Sequence, residues 1–186
     1  MGKLKLQMQV SVDNFIAGPN GEMDWLVWDW DDNLKNYVAA LNEPIDHIIL
    51  GRKMAKGFID AWAERVNDPE MAEFAHKMND TPKTVFSKTL ESINGKNTSV
   101  ANGDLVDEIA KLKNENQEII AYGGGNFVSS LIKNNLIDDY HLFVNPVAVG
   151  KGMTIFGSLD EKLNLNLIKA TAFECGIVAL HYQTKK

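Results

Sequence analysis

A single cysteine, Cys175, stands in 186 residues, so an intrachain disulfide and a multi-cysteine metal site are both excluded, and the chain suits a reducing compartment. Long apolar runs are missing too: nothing approaches the roughly 18 apolar residues of a membrane span, and residues 1–9 alternate polar with apolar instead of forming a leader. The expectation is a cytoplasmic protein with no membrane partner. A basic surplus is also lacking. Nineteen Lys and Arg face 25 Asp and Glu, a formal charge of −6, which argues against a nucleic-acid surface yet permits a local basic pocket for a small phosphorylated ligand. His47, His76, His141 and His181 fall at no metal-ligand spacing, so no metal is expected. Linkers, repeats and low-complexity stretches are absent, and one domain over residues 1–186 is expected, long enough to bury roughly 70% of its unfolded surface.

What is present alternates between two periods. Residues 5–12 read as a strand followed by the turn Ala17-Gly18-Pro19-Asn20-Gly21 and a segment holding Trp25, Trp28 and Trp30. Asp31 or Asp32 can cap a helix over 33–42, where Leu34, Tyr37, Val38 and Leu41 recur at helical spacing before Pro44. Residues 46–50 form a short buried strand, 55–79 are mostly helical with a break near Asn67-Asp68-Pro69, and 84–87 and 97–100 read as strands. Asp104 caps a helix to about Asn114, 118–122 is a strand, and a glycine run opens a helix reaching Asn134 or Asn135. Strands at 140–144, 163–173 and 177–183 finish the chain. Alternation first and strands last imply an α/β fold whose mostly parallel mixed sheet carries antiparallel C-terminal edge strands, with helices on both faces.

The chemistry concentrates at strand ends. Gly123-Gly124-Gly125 follows an apolar strand and opens a helix, which places bare N–H groups and a positive helix end at the carboxyl edge of the sheet. Glycine lets a diphosphate approach the backbone, whereas a side chain would hold it away. The run is neither the spaced GxGxxG of dinucleotide folds nor a P-loop with its lysine, and a tight strand-to-helix turn is the plainer alternative. A second strand end, Gly51-Arg52-Lys53, offers a planar cationic fork beside a point charge. A third, Phe86-Ser87-Lys88-Thr89, offers hydroxyls and another cation. Each alone also fits a solvated helix start or a turn cap. Three converging polar ends make a groove.

The succession Val12-Asp13-Asn14-Phe15-Ile16-Ala17-Gly18, Asn20-Gly21-Glu22-Met23-Asp24-Trp25, Leu50-Gly51-Arg52, Phe86-Ser87-Lys88 and Gly123-Gly124-Gly125 resembles the dihydrofolate reductase superfamily. Within it, the likeness is to the reductase domain of the riboflavin-biosynthesis enzyme (the RibD C-terminal domain family). Gly123 to Gly125 leading to Leu136-Ile137-Asp138-Asp139, and Asn145-Pro146-Val147 with Gly150-Lys151-Gly152 and Phe156, carry that narrower resemblance, which spans most of the chain.

The resemblance implies a three-layer dihydrofolate-reductase-like fold and a reductase that passes a hydride from NADPH to a C=N or C=O carbon of a small heterocycle, as a dihydrofolate reductase or 5-amino-6-(5-phosphoribosylamino)uracil reductase does. It places Arg52, Lys53, Ser87 and Lys88 at the adenosine 2′-phosphate and Gly124, Gly125, Asn126 and Phe127 at the diphosphate, with Gly51 and Gly123 also binding the cofactor and a cis peptide between Gly123 and Gly124. Ile16, Ala17 and Gly18 would border the nicotinamide, and residues 20–25 would form a flap carrying the substrate contacts Met23 and Trp25. Asp32 matches the carboxylate that assists protonation, with Asp31, Asp13 and Asp24 as other candidates. Asp32 serves equally as a helix cap. Met54 departs from the pattern, standing where relatives place a threonine that touches the diphosphate, and a thioether is a poor replacement for that donor. Residues 61–82 border the expected substrate cleft, although an amphipathic helix packed on the core describes them as well. No H-x-E or P-C-x-x-C stretch of a zinc deaminase is present. The competing reading is a non-catalytic nucleotide-binding or ligand-sensing module that keeps the groove. Apolar edge strands at the end of the chain imply a homodimer.

Overall fold

In the computed structural model, which describes residues 1–185, the central strand is β1 (Lys3–Ser11). Its alternation is the reason: Leu4, Leu6, Met8 and Val10 are buried on one face, while Lys3, Lys5, Gln7 and Gln9 occupy the other. The chain continues through α1 (Asp32–Asn42), β2 (His47–Gly51), α2 (Arg52–Glu64), a 3-10 turn, α3 (Ala72–Asp80), β3 (Lys83–Phe86) and β4 (Thr98–Ala101). Then come α4 (Leu105–Glu115), β5 (Glu118–Gly123), α5 (Gly125–Lys133), β6 (Asp139–Asn145), β7 (Leu165–Ala172) and β8 (Val178–Thr184). One eight-stranded sheet results, in the order β4-β3-β2-β5-β1-β6-β8-β7. Strands β1 to β6 pair in parallel, and β8 runs antiparallel to both β6 and β7. The expected mixed sheet with its antiparallel C-terminal edge is therefore present.

Helices cover both faces. On one, Ile109 and Leu112 of α4 and Val128, Leu131 and Ile132 of α5 pack on Leu4, Leu6, Ile119, Ala121 and Tyr140. On the other, α2 and α3 pack Ala55, Phe58 and Met78 on Ile48, Leu50, Val85 and Ile120, while α1 packs Leu34, Val38 and Leu41 on Phe143 and Ala179. Each fully buried leucine or isoleucine contributes about 1.5 to 3 kcal/mol. The helical stretch expected from residue 55 begins at Arg52 and divides at residues 65–67, before Pro69. It starts earlier because β2 delivers Gly51 directly into the first turn, with no intervening loop. Lys83 joins α3 to β3 internally: its buried ammonium donates to the carbonyls of Met78, Asn79 and Thr81, satisfying the end of α3.

Candidate functional site

Six parallel strands, β4, β3, β2, β5, β1 and β6, end on one edge of the sheet, and two helices start there from glycine. Asp31 and Asp104 cap α1 and α4 with carboxylates that accept from first-turn amides. By contrast, α2 and α5 begin at Gly51 and Gly124 with no side-chain cap. These two starts touch: a Cβ placed on Gly51 would lie 3.0 Å from the Gly124 nitrogen and 2.7 Å from Phe127 Cβ. First-turn N–H groups without side-chain acceptors, on converging helix N-termini, make a place for an anion.

Gly123 has φ +145°, a conformation that disfavours side chains, and its peptide to Gly124 is cis, as the resemblance implied. A Cβ there would also meet Met54 Sδ at 2.6 Å. Met54 therefore lies over the glycine turn, a contact that explains how the chain accommodates the departure from threonine: the thioether fills space without offering a donor. On the far side, Ile16 Cδ1 sits 2.7 Å from the position of a Cβ on Gly125. The loop after β1 is thereby brought against the first turn of α5.

Ile16 and Ala17 are buried. Ile16 donates its amide to the Met153 carbonyl at 2.8 Å, and Met153 donates back to Ala17 at 2.9 Å. Glycine is required at Gly152 because a Cβ would overlap the Ala17 carbonyl, and a Cβ on Gly18 would collide with the Glu22 carboxylate. Phe86, at the end of β3, stacks on Phe127 of α5 with centroids 4.9 Å apart. Gly51, Gly123, Gly124, Gly125, Phe127 and Ile16 thus share one corner, with Arg52 and Lys53 exposed on its rim and Asn126 exposed on the first turn of α5.

Other expected residues are already engaged. Ser87 Oγ accepts from the amides of Thr89 and Leu90, and Lys88 Nζ donates to the Gly103 carbonyl at 2.6 Å. Asp31 is the α1 cap; its pKa is held below the ordinary value first by the Leu34 amide and then by that of Cys175. The neighbouring Asp32 side chain is 95% exposed, with Lys35 Nζ 4.0 Å away. Asp13 accepts from the Ser11 hydroxyl and from the amides of Val149 and Gly150, which lower its pKa to about 2. Asp24 and Met23 are exposed, and Trp25 is half-buried with its indole Nε1 enclosed and unpartnered.

The structure also gives a role to a residue whose sequence context marks it only as part of the Asn145-Pro146-Val147 motif. Asn145, fully buried at the end of β6, accepts from the Val27 amide at 2.9 Å and donates to Gln9 Oε1 at 2.8 Å, tying the segment after β1 to the sheet. Among the described residues, no group of three or more His, Cys, Asp and Glu could hold a metal ion, and no helix is long and apolar enough to cross a membrane.

With this geometry in place, comparison with known proteins is informative. Over most of its length the chain is similar to two Bacillus subtilis (strain 168) proteins, uncharacterized protein YyaP and uncharacterized protein YwjB. The first is 31% identical, covering 97% of this chain and 94% of that one, and the second 28% identical, covering 97% of each. A solved structure from Shewanella sp. PV-4, a putative riboflavin biosynthesis protein, superposes with a TM-score of 0.79 at 24% identity, covering 100% of both chains. The diaminohydroxyphosphoribosylaminopyrimidine deaminase/5-amino-6-(5-phosphoribosylamino)uracil reductase of Thermotoga maritima gives a TM-score of 0.71 at 14% identity, covering 99% of this chain and 57% of that one. These two structures share the fold. The RibD C-terminal domain model matches residues 2–179, nearly the whole sheet with its glycine corner, and the chain belongs to that family.

Proposed function

We propose that the protein is an NADPH-dependent reductase acting on a C=N or C=O carbon of a small heterocyclic substrate. The observation that carries this reading is the meeting of two helix starts without side-chain caps at Gly51 and Gly124, beside Arg52 and Lys53. A corner that bare backbone keeps open and cations border fits a dinucleotide with an added phosphate. Family membership and the printed names of the structural neighbours support a reductase of the riboflavin-biosynthesis kind. When bound, the nicotinamide would supply the hydride.

In this reading the first-turn amides of Gly125, Asn126 and Phe127, with Gly124, hold the diphosphate. Arg52 and Lys53 hold the 2′-phosphate, and because Ser87 and Lys88 are engaged in their own loop, the α2 cations carry most of that recognition. Buried Ile16 and Ala17 with Gly18 border the nicotinamide and keep water from it. Met23 and Trp25 contact the substrate, and Asp32, open to solvent, is the candidate for proton delivery.

The exposure of Asp32 and the use of Asp31 as a cap favour one second reading, a module that binds the cofactor without turning it over. Titration of NADPH and NADH by tryptophan fluorescence, repeated with Arg52→Ala, tests the binding. Tighter binding of NADPH, lost in the variant, is expected; equal affinities untouched by the substitution would overturn the 2′-phosphate assignment. Oxidation of NADPH with a dihydropteridine or 5-amino-6-(5-phosphoribosylamino)uracil then separates the readings, since binding without oxidation of any acceptor supports the second.

A further inference from the structure

The charge of this protein is not spread over it. Residues 6–34 hold six of the chain's 25 carboxylates, Asp13, Glu22, Asp24, Asp29, Asp31 and Asp32, and none of its 19 Lys and Arg; the rest of the chain therefore carries as many acids as bases. This is the stretch that includes Ile16, packed on Gly125, and the expected flap. Three of its carboxylates are held in place by neutral donors, and Asp24 and Asp29 are exposed. Asp13, Glu22 and Asp31 accept from backbone amides, the Ser11 hydroxyl and the Asn20 side chain, and Asp32 has Lys35 at 4.0 Å. The facing stretch 146–157 adds one cation, Lys151.

Independently, the same region leaves apolar side chains in solvent: Val12 is 65% exposed, Met23 48% and Trp28 72%, and Met153, bridged to Ala17, is 46% exposed. Apolar and aromatic groups beside uncompensated carboxylates favour a flat ring that is neutral or positive, through stacking and Coulomb attraction, and disfavour a dianion. The carboxyl edge is thus divided, with Arg52 and Lys53 at the end of β2 and negative charge on the segment after β1.

We infer that the substrate side of the site selects an uncharged or cationic planar heterocycle and discriminates against a phosphorylated one. The inference rests on the reductase reading for where the substrate lies.

The test uses two matched pairs: 5-amino-6-(5-phosphoribosylamino)uracil with its dephosphorylated form, and riboflavin 5′-phosphate with riboflavin. Binding of each to the protein saturated with NADP+, which cannot reduce them, is measured by equilibrium dialysis at low and high salt, for the native chain and for Asp24→Asn/Asp29→Asn. The dephosphorylated member of at least one pair should bind about tenfold more tightly at low salt. That ratio should shrink in the variant, and also as the screening length falls to about 3 Å near 1 M salt. A phosphorylated member that binds as well or better, a ratio indifferent to salt and to the variant, or binding by neither pair would overturn the inference. Failure of the reductase reading looks different: NADPH itself would neither bind nor be oxidised, whatever the pairs show.

Discussion

The sheet has two parts that use the same residues to different ends. In β4-β3-β2-β5-β1 every strand runs in one direction, so the strands all end on one edge, and glycine is left where two helices begin there. In β6-β8-β7 the middle strand runs against both neighbours, and polar chemistry moves inside instead. There His141 and His181, cross-strand partners, stack with centroids 4.2 Å apart. Asp139 accepts from His181 at 2.7 Å and from Gln183 at 2.8 Å. Burial alone would raise the pKa of Asp139, but these hydrogen bonds hold it below the ordinary value. Parallel order concentrates the glycine corner, whereas antiparallel order spends its polar groups on cohesion and leaves an open strand, β7, with Leu167 57% and Ile168 51% exposed. We propose that this edge pairs with a second copy.

Four measurements test that contrast, beginning with the strongest expectation. Gly123→Ala adds a Cβ at φ +145° against Met54 Sδ, and should weaken NADPH binding at least a hundredfold by fluorescence titration while leaving β6-β8-β7 folded. Native affinity in that variant would remove the corner from the cofactor site.

Next comes acid. His141 is buried, and burial first, then the neighbouring His181, lowers its pKa to about 4. An unfolded histidine takes its proton near pH 6.5, so between there and about pH 4 the unfolded chain binds the extra proton and stability falls as pH falls. The loss is about 3 kcal/mol across the window. Urea unfolding at pH 7 and 4.5 should show it, and His141→Gln should flatten the dependence. A native slope that survives this substitution would place the acid sensitivity elsewhere.

Arg52→Ala removes a charge-assisted contact worth roughly 1.5 to 3 kcal/mol, so NADPH affinity should drop about 10- to 100-fold and NADH affinity little. The smallest effect on folding belongs to Ile168→Lys. Monomer stability should change by less than about 0.5 kcal/mol, while self-association, followed by sedimentation, should be lost. A native chain that sediments only as a monomer would end the dimer proposal.

Local signals made much of this architecture readable beforehand. The alternation of β1, the Asp104 cap, the break at Pro69 and the glycine run all act within a few residues of themselves. What stayed hidden depends on partners distant in sequence. Met54 over Gly123, Phe86 on Phe127 and Asn145 beneath Val27 join segments about 40 to 120 residues apart, and neither end announces the other. The choice between Asp31 and Asp32 was undecidable for a different reason: either can reach a first-turn amide, and only the entry angle of the chain aims Asp31 at Leu34. The start of α2 at Arg52 was masked because a glycine cap resembles any turn.

The ties of the segment after β1 have an order in time. Asp13 is fastened to Val149 and Gly150, Ala17 to Met153, Val27 to Asn145 and Asp31 to Cys175. Every one of these moorings is made late by a ribosome, whereas the glycines and cations of the corner are all in place by Phe127. A nascent chain therefore holds the glycines and cations before it holds any of these ties, and a protein ending at Val144 would lack the partner of every one of them.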